Sequence, residues 1–140
     1  MQKNILVTGA STGIGFDCVR CLTENGFTVV ATVRKPEDKL NLEKNFGASV
    51  KVLLLDVSDF ASVERLPEKL KSDFQITELF GLVNNAGVAL AAPFIHQDFS
   101  EVENIFRTNV LALMKVTQVL IPLLKKSSGR IVNMSSVAGK

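Results

Sequence analysis

Residues 8–15 read Thr8-Gly9-Ala10-Ser11-Thr12-Gly13-Ile14-Gly15 (TGASTGIG), directly after the apolar run Ile5-Leu6-Val7. A short β-type run closed by glycines, followed by apolar positions at helical spacing, is a strand–turn–helix pattern. Glycines let the backbone turn tightly and approach a ligand where a Cβ would clash. Backbone N–H groups at the helix start then face an anion, which the helix dipole favours. A pyrophosphate meets that demand. The alternative is a glycine-rich turn with no ligand, and the flanking strand and helix weigh against it.

Outward from this turn the chain alternates between strand and helix. A helix is predicted over residues 13–25, with Ile14, Cys18, Cys21 and Leu22 on one side and Gly26 as terminator. Residues 27–33 read as a second strand. Residues 36–46 read as a helix with Pro36 in its first turn, and the apolar run 50–55 as a third strand. Ser58 or Asp59 would cap a helix reaching about Phe74. A fourth strand over 79–83 and a loop over 84–97 follow. The longest helix starts at Asp98 or Ser100 and runs to Lys126, with Pro122 kinking or shortening its end. Residues 131–134 form a fifth strand. Strands that are apolar throughout and alternate with helices mean a parallel sheet covered on both faces. The right-handed crossover rule then makes the fold α/β, a doubly wound parallel sheet, Rossmann-like, in order 3-2-1-4-5. All 140 residues read as a single dinucleotide-binding domain, 1–140, without repeats or linkers.

Composition narrows the function. Hydrophobic residues make up 46%, enough for a real core, and 16 Lys and Arg nearly balance 14 Asp and Glu. A net charge of +2 without basic runs argues against nucleic acid as partner. The N-terminal apolar run is too short for a signal peptide, and Lys115, Thr117, Gln118 and Pro122 interrupt the stretch from Val110 to Leu124, so no membrane span is expected. Two cysteines suit a reducing cytoplasm. There is no Tyr.

The spacing Gly-x-x-x-Gly-x-Gly resembles the opening motif of the short-chain dehydrogenase/reductase family. Three further stretches carry the same resemblance: Asn84 to Gly87 (NNAG), Asn109 within RTNVLAL, and Ile131 to Gly139 (IVNMSSVAG). All four occur in the family's order across the whole chain. By that resemblance Gly9, Ser11, Thr12, Gly13, Ile14 and Gly15 would cradle a cofactor pyrophosphate. Asp56 and Val57 would meet the adenine, although Asp56 also suits a simple helix entry. Asn85, Ala86 and Gly87 would line the adenine–ribose side.

Charge bears on the cofactor. NAD-preferring dehydrogenases place an acidic residue at the end of the second strand to accept from the ribose 2′-OH. Val33 stands there and cannot accept, whereas Arg34 follows and suits a 2′-phosphate. The expected cofactor is NADP, ahead of NAD. A solvated Arg34-Lys35 pair is the other possibility.

Family catalysis uses Asn, Ser, Tyr and Lys. Asn109 matches the Asn and Ser136 the Ser, with Ser135 its neighbour. The family's Tyr-x-x-x-Lys pair would stand about a dozen residues after Ser136, so the 140 residues look like the cofactor-binding part of a dehydrogenase cut before that pair and before the last strands. The resemblance implies hydride transfer between NADP(H) and a small carbonyl or alcohol substrate, in a whole enzyme that is a homo-oligomer. The alternative is a nucleotide-binding module without redox chemistry. Leu113, Val116, Leu120 and Leu124 on the long helix, and the fifth strand as a sheet edge, would then be left uncovered. Cys18 and Cys21 read as small packing residues rather than metal ligands, and His96 as a surface histidine.

Overall fold

The run before the glycines forms β1, Asn4–Val7, and lies at the centre of a five-stranded sheet. The computed structural model describes residues 3–136. In chain order β1 is followed by α1 (Gly13–Glu24), β2 (Thr28–Val33), α2 (Pro36–Phe46), β3 (Val50–Leu54), α3 (Phe60–Glu64) and α4 (Leu66–Phe74). Then come β4 (Gly81–Asn84), α5 (Phe99–Phe106), a π-helical segment Arg107–Leu111, α6 (Ala112–Lys126) and β5 (Arg130–Asn133). Every strand pair is parallel and the order is β3-β2-β1-β4-β5, as expected from the alternation.

Side-chain alternation along the strands splits the core into two layers. Leu6, Val30, Leu53 and Leu82 point to one face, where they meet Val63, Leu70, Val116 and Leu120 of α3, α4 and α6. Ile5, Val7, Val29, Ala31, Val52 and Val83 point to the other, against Val19 of α1 and Leu42 of α2. Removing a buried leucine from such a layer costs about 2–5 kcal/mol.

Several elements depart from the sequence reading. The helix expected from residue 58 or 59 to 74 is two helices, because Pro67 stands in the first turn of α4 and cannot donate to the ladder of α3. Asp59 caps α3, and the Ser62 hydroxyl beside its carboxylate holds the Asp59 pKa below the usual range. β4 begins at Gly81 rather than Leu79, since the Leu79 N–H bonds to Leu123 O of α6 instead of the sheet. Pro122 does not shorten α6, which continues to Lys126. Pro122 has no N–H to offer the Gln118 carbonyl one turn earlier, and the helix runs on without that bond.

On α1 the expected inner side holds for Cys18 and Leu22, which pack on the core, but not for Ile14 and Cys21. Gly15 and Val19 are buried, while Ile14 is 62% exposed and Cys21 exposed. On α6 the expectation of uncovered residues fails for Val116, Leu120 and Leu124, which lie in the core. The exposed apolar side chains here include Phe106 of α5, Val110 and Leu111 of the π segment, and Met114 and Ile121 of α6. By length and composition the helical stretch Phe99–Lys126 passes as a membrane span, yet its inner residues pack on the sheet. β5 forms the sheet edge, with Ile131 and Val132 exposed.

Candidate functional site

The C-terminal ends of parallel strands open onto a common edge, and there the chain forms a cleft of about 410 Å³. Its floor is the turn after β1. One wall is built by Thr32, Val33 and Arg34 at the end of β2, with Leu55 to Ser58 after β3. Asn85 to Val88 after β4 make the other wall, with Asn104 and Thr108 of the long helical stretch.

Two turns lock together to make the floor. The Thr8 hydroxyl donates to Val83 O at 3.4 Å and accepts from the N–H groups of Asn85 and Ala86, both at 3.0 Å. The Asn85 amide donates to Thr8 O at 3.2 Å and to Gly9 O at 2.8 Å. Space here is minimal. Gly9 adopts φ +64°, and a Cβ on it would lie 2.7 Å from Ala86 Cα. A Cβ on Gly15 would overlap Gly9 O and the Asn85 amide nitrogen.

Gly13 differs. Its φ is +56°, but a Cβ there would meet nothing within 4 Å. It opens α1, whose N-cap Thr12 makes no side-chain capping bond and whose first turn holds no acidic residue. The N–H groups of that turn are therefore left for an external acceptor, and the helix dipole makes an anion the favoured one. Ile14 and Ser11 stand beside them at the cleft.

Arg34 lies exposed at the cleft's rim, and Val33 before it is only 2% exposed. The Thr32 hydroxyl, buried in the same wall, has no hydrogen-bond partner. Across from it, Asp56 Oδ1 accepts from the backbone N–H and hydroxyl of Ser58, at 2.9 and 2.7 Å. Asp56 thus closes a turn and still leaves Oδ2 for another donor. Val57 is buried beside it. The residues present fit an anionic dinucleotide: uncapped N–H groups, an open glycine, a rim arginine and a carboxylate at the far end.

Asn109 is a clasp on the other wall. Its Oδ1 accepts from Val88 N–H and its Nδ2 donates to Val88 O, both at 2.8 Å. A Cβ on Gly87 would come to 3.3 Å from Asn109 Oδ1. The π segment carries Asn109 and buries Thr108. β5 is fastened to the same edge, since Asn84 Nδ2 donates to Asn133 Oδ1 at 2.9 Å and to Thr117 Oγ1 at 3.0 Å. Ser136 follows three positions after β5 and is exposed, outside the cleft's lining. Val137, Ala138, Gly139 and Lys140 lie outside the described residues.

Sequence reasoning missed Thr8, Val88, Asn104, Arg107 and Thr108. Thr8 carried a signal, as a hydroxyl at the buried end of an apolar strand. The others depend on how the helix passes the cleft, which spacing does not reveal. Among the described residues no group of three or more metal-ligating side chains occurs. Cys18 is half-buried, and its thiol pKa is pushed up by burial first, then by Cys21 and Asp17.

Comparison with known proteins agrees with this geometry. The family model described as short chain dehydrogenase matches residues 3–140. The 3-amino-tetrahydro-pyrrolizinone reductase of Xenorhabdus hominickii is 38% identical over 138 residues, covering 99% of this chain and 47% of its own length. A short-chain dehydrogenase from Streptomyces avermitilis superposes with a TM-score of 0.90 at 27% identity, covering 99% of this chain and 51% of that one. The structure of ElxO with NADP bound gives 0.88 at 29% identity, covering 99% of this chain and 57% of that one. The chain spans about half the length of the curated relatives it matches.

Proposed function

Because this chain belongs to the short-chain dehydrogenase family, we propose that it is the cofactor-binding part of an oxidoreductase that moves hydride between NADP(H) and a small carbonyl or alcohol. The observation that carries the proposal is the uncapped start of α1 opening onto a cleft with Arg34 at its rim and a valine in the acidic position. In this reading the backbone from Gly9 to Gly15, with Ser11, Thr12, Gly13 and Ile14, holds the pyrophosphate. Arg34 takes the 2′-phosphate. Asp56 accepts from the adenine amino group beside Val57, and Asn85, Ala86 and Gly87 line the adenine–ribose side. ElxO, a structural neighbour, has NADP bound, which supports a phosphorylated cofactor.

Bound there, the nicotinamide ring would supply or accept the hydride. This chain's own residues position the reactants. Ser136 hydrogen-bonds the substrate oxygen. Asn109, whose amide is taken up by Val88, fixes the wall and is a positioning residue rather than a proton carrier. The 140 residues contain no Tyr, so no phenol within them can carry a proton. The second reading is a nucleotide-binding module that turns nothing over. A panel of aldehydes and ketones with NADPH, offered to the whole protein, separates the two: turnover supports the oxidoreductase, and binding without turnover supports the module.

We place the protein in the cytoplasm, on the strength of its free cysteines. The whole protein is proposed to form homo-oligomers through the outward stripe of Phe106, Val110 and Met114. The test of the cofactor assignment is Arg34→Asp, which replaces a charge-assisted hydrogen bond by repulsion. It should cut NADPH affinity by one to several kcal/mol, on the order of ~1.5–3 kcal/mol for the bond alone. Unchanged affinity would refute the role of Arg34.

A further inference from the structure

We propose that Arg107 is a positioning residue that fixes the adenine end of the cleft by tying the turn after β3 to the helical stretch carrying Asn109. The proposal rests on the cofactor reading above and adds to it a residue to which the family resemblance assigned no role.

Arg107 opens the π segment, two positions before Asn109. Residues two apart on a helix point to different sides, so one short segment reaches both walls of the cleft. On one side Asn109 clasps Val88. On the other, Arg107 Nε donates to Ser58 O at 3.0 Å, and its guanidinium lies 4.3 Å from the centre of the Phe60 ring. A flat guanidinium that stacks and donates at once is held in one orientation. Arg107 pairs with no carboxylate among the described residues, so its contacts are directional rather than a charge neutralisation.

Ser58 passes the restraint on. Its N–H and hydroxyl both donate to Asp56 Oδ1. The chain of contacts therefore runs Arg107–Ser58–Asp56 and ends on the carboxylate assigned to adenine. This tether has work that the core does not do. Leu55 and Val57 are anchored by burial, whereas Asp56 is exposed and Ser58 only half-buried. Without Arg107 the buried residues would stay in place and the polar ones between and beside them would lose their lateral restraint. π turns inside helices are frequent at functional sites, and here the segment brings Arg107 and Asn109 to the two walls at once.

The test compares the whole protein with Arg107→Ala and Arg107→Lys, titrating NADPH and its analogue with hypoxanthine in place of adenine, and recording thermal melts. The wild type should prefer adenine. Arg107→Ala should lose about three- to tenfold in NADPH affinity, the range of one hydrogen bond. It should lose little for the hypoxanthine analogue, so the preference shrinks. Arg107→Lys, which keeps a donor but not the stacking plane, should fall between. A lower melting temperature with an unchanged ratio between the two nucleotides would mean a purely structural role and overturn the proposal. Unchanged NADPH affinity, or no adenine preference in the wild type, would overturn it as well. If the wild type binds neither nucleotide, the cofactor reading fails and this proposal falls with it. If the wild type binds and the variants match it, this proposal fails alone.

Discussion

Asn109 holds the backbone of Val88 by both its N–H and its carbonyl, at 2.8 Å each, across 21 positions of sequence. A carboxamide carries a donor and an acceptor side by side, so it can accept from and donate to the same residue in this way. The segment after β4 is thereby fixed to the helical stretch at the edge of the cleft. Asn109→Asp keeps the shape but sets a carboxylate oxygen against Val88 O. We expect a loss of about 1–3 kcal/mol, the cost of an unmet partly buried group, measured by denaturant unfolding. Stability equal to the wild type would show that the clasp contributes nothing.

The glycines of the first turn divide by what a Cβ would meet. Gly15→Ala must push apart Gly9 O and Asn85, and Gly9→Ala must displace Ala86. Each should destabilise the fold by about 1–3 kcal/mol or more before any ligand is added. Gly13→Ala faces open space, so only its positive φ is penalised, at roughly 1 kcal/mol. Any effect on cofactor affinity should come through the backbone of the turn whose N–H groups face the cleft. Melting curves with and without NADPH separate these outcomes, and equal melting temperatures for all three variants would contradict the division.

The two cysteines should react unequally. Cys21 is exposed, whereas burial, aided by Cys21 and Asp17, raises the Cys18 thiol above its ordinary 9.0. At pH 8 iodoacetamide should label Cys21 first, as read by peptide mass spectrometry. The sign for stability follows from the same shift. A thiol whose folded pKa is raised contributes fully below the unfolded value, and the contribution is lost as pH rises through the folded value. Stability owed to Cys18 should therefore decline only above about pH 9, and Cys18→Ser should remove that decline.

β5 presents Ile131 and Val132 along an edge of the sheet, with Arg130 the only charge in the strand. Such an edge pairs readily with a second chain. The 140 residues alone are expected to self-associate, and Val132→Lys should shift them toward the monomer in sedimentation velocity. A wild-type chain that sediments as a monomer at high concentration would contradict this.

What the sequence made legible follows from the range of each signal. TGASTGIG, the apolar strands and the turns between them are local, so strand order and the floor of the cleft could be read from them. Arg34 and Asp56 follow strand ends, which the same logic locates, and both line the cleft. On α1 Cys18 and Leu22 pack as expected, but Ile14 was counted as a core residue although it stands at the cleft beside an uncapped helix end. The break at Pro67 was overlooked because apolar spacing continues across it. The π segment left no trace in the apolar pattern. Its partners, Ser58 and Val88, lie 49 and 21 positions away, and only the folded chain brings them to Arg107 and Asn109.

The central claim is that this cleft binds NADP(H) in preference to NAD(H) through Arg34 and the open start of α1. Nicotinamide fluorescence reports binding of either reduced cofactor directly. Titration of the wild-type protein with NADPH and with NADH should show saturable enhancement, with NADPH bound at least about tenfold more tightly, the equivalent of ~1.4 kcal/mol. Arg34→Asp should bring the two affinities together. No saturable binding of either nucleotide, or NADH bound as tightly as NADPH by the wild type, would contradict the account.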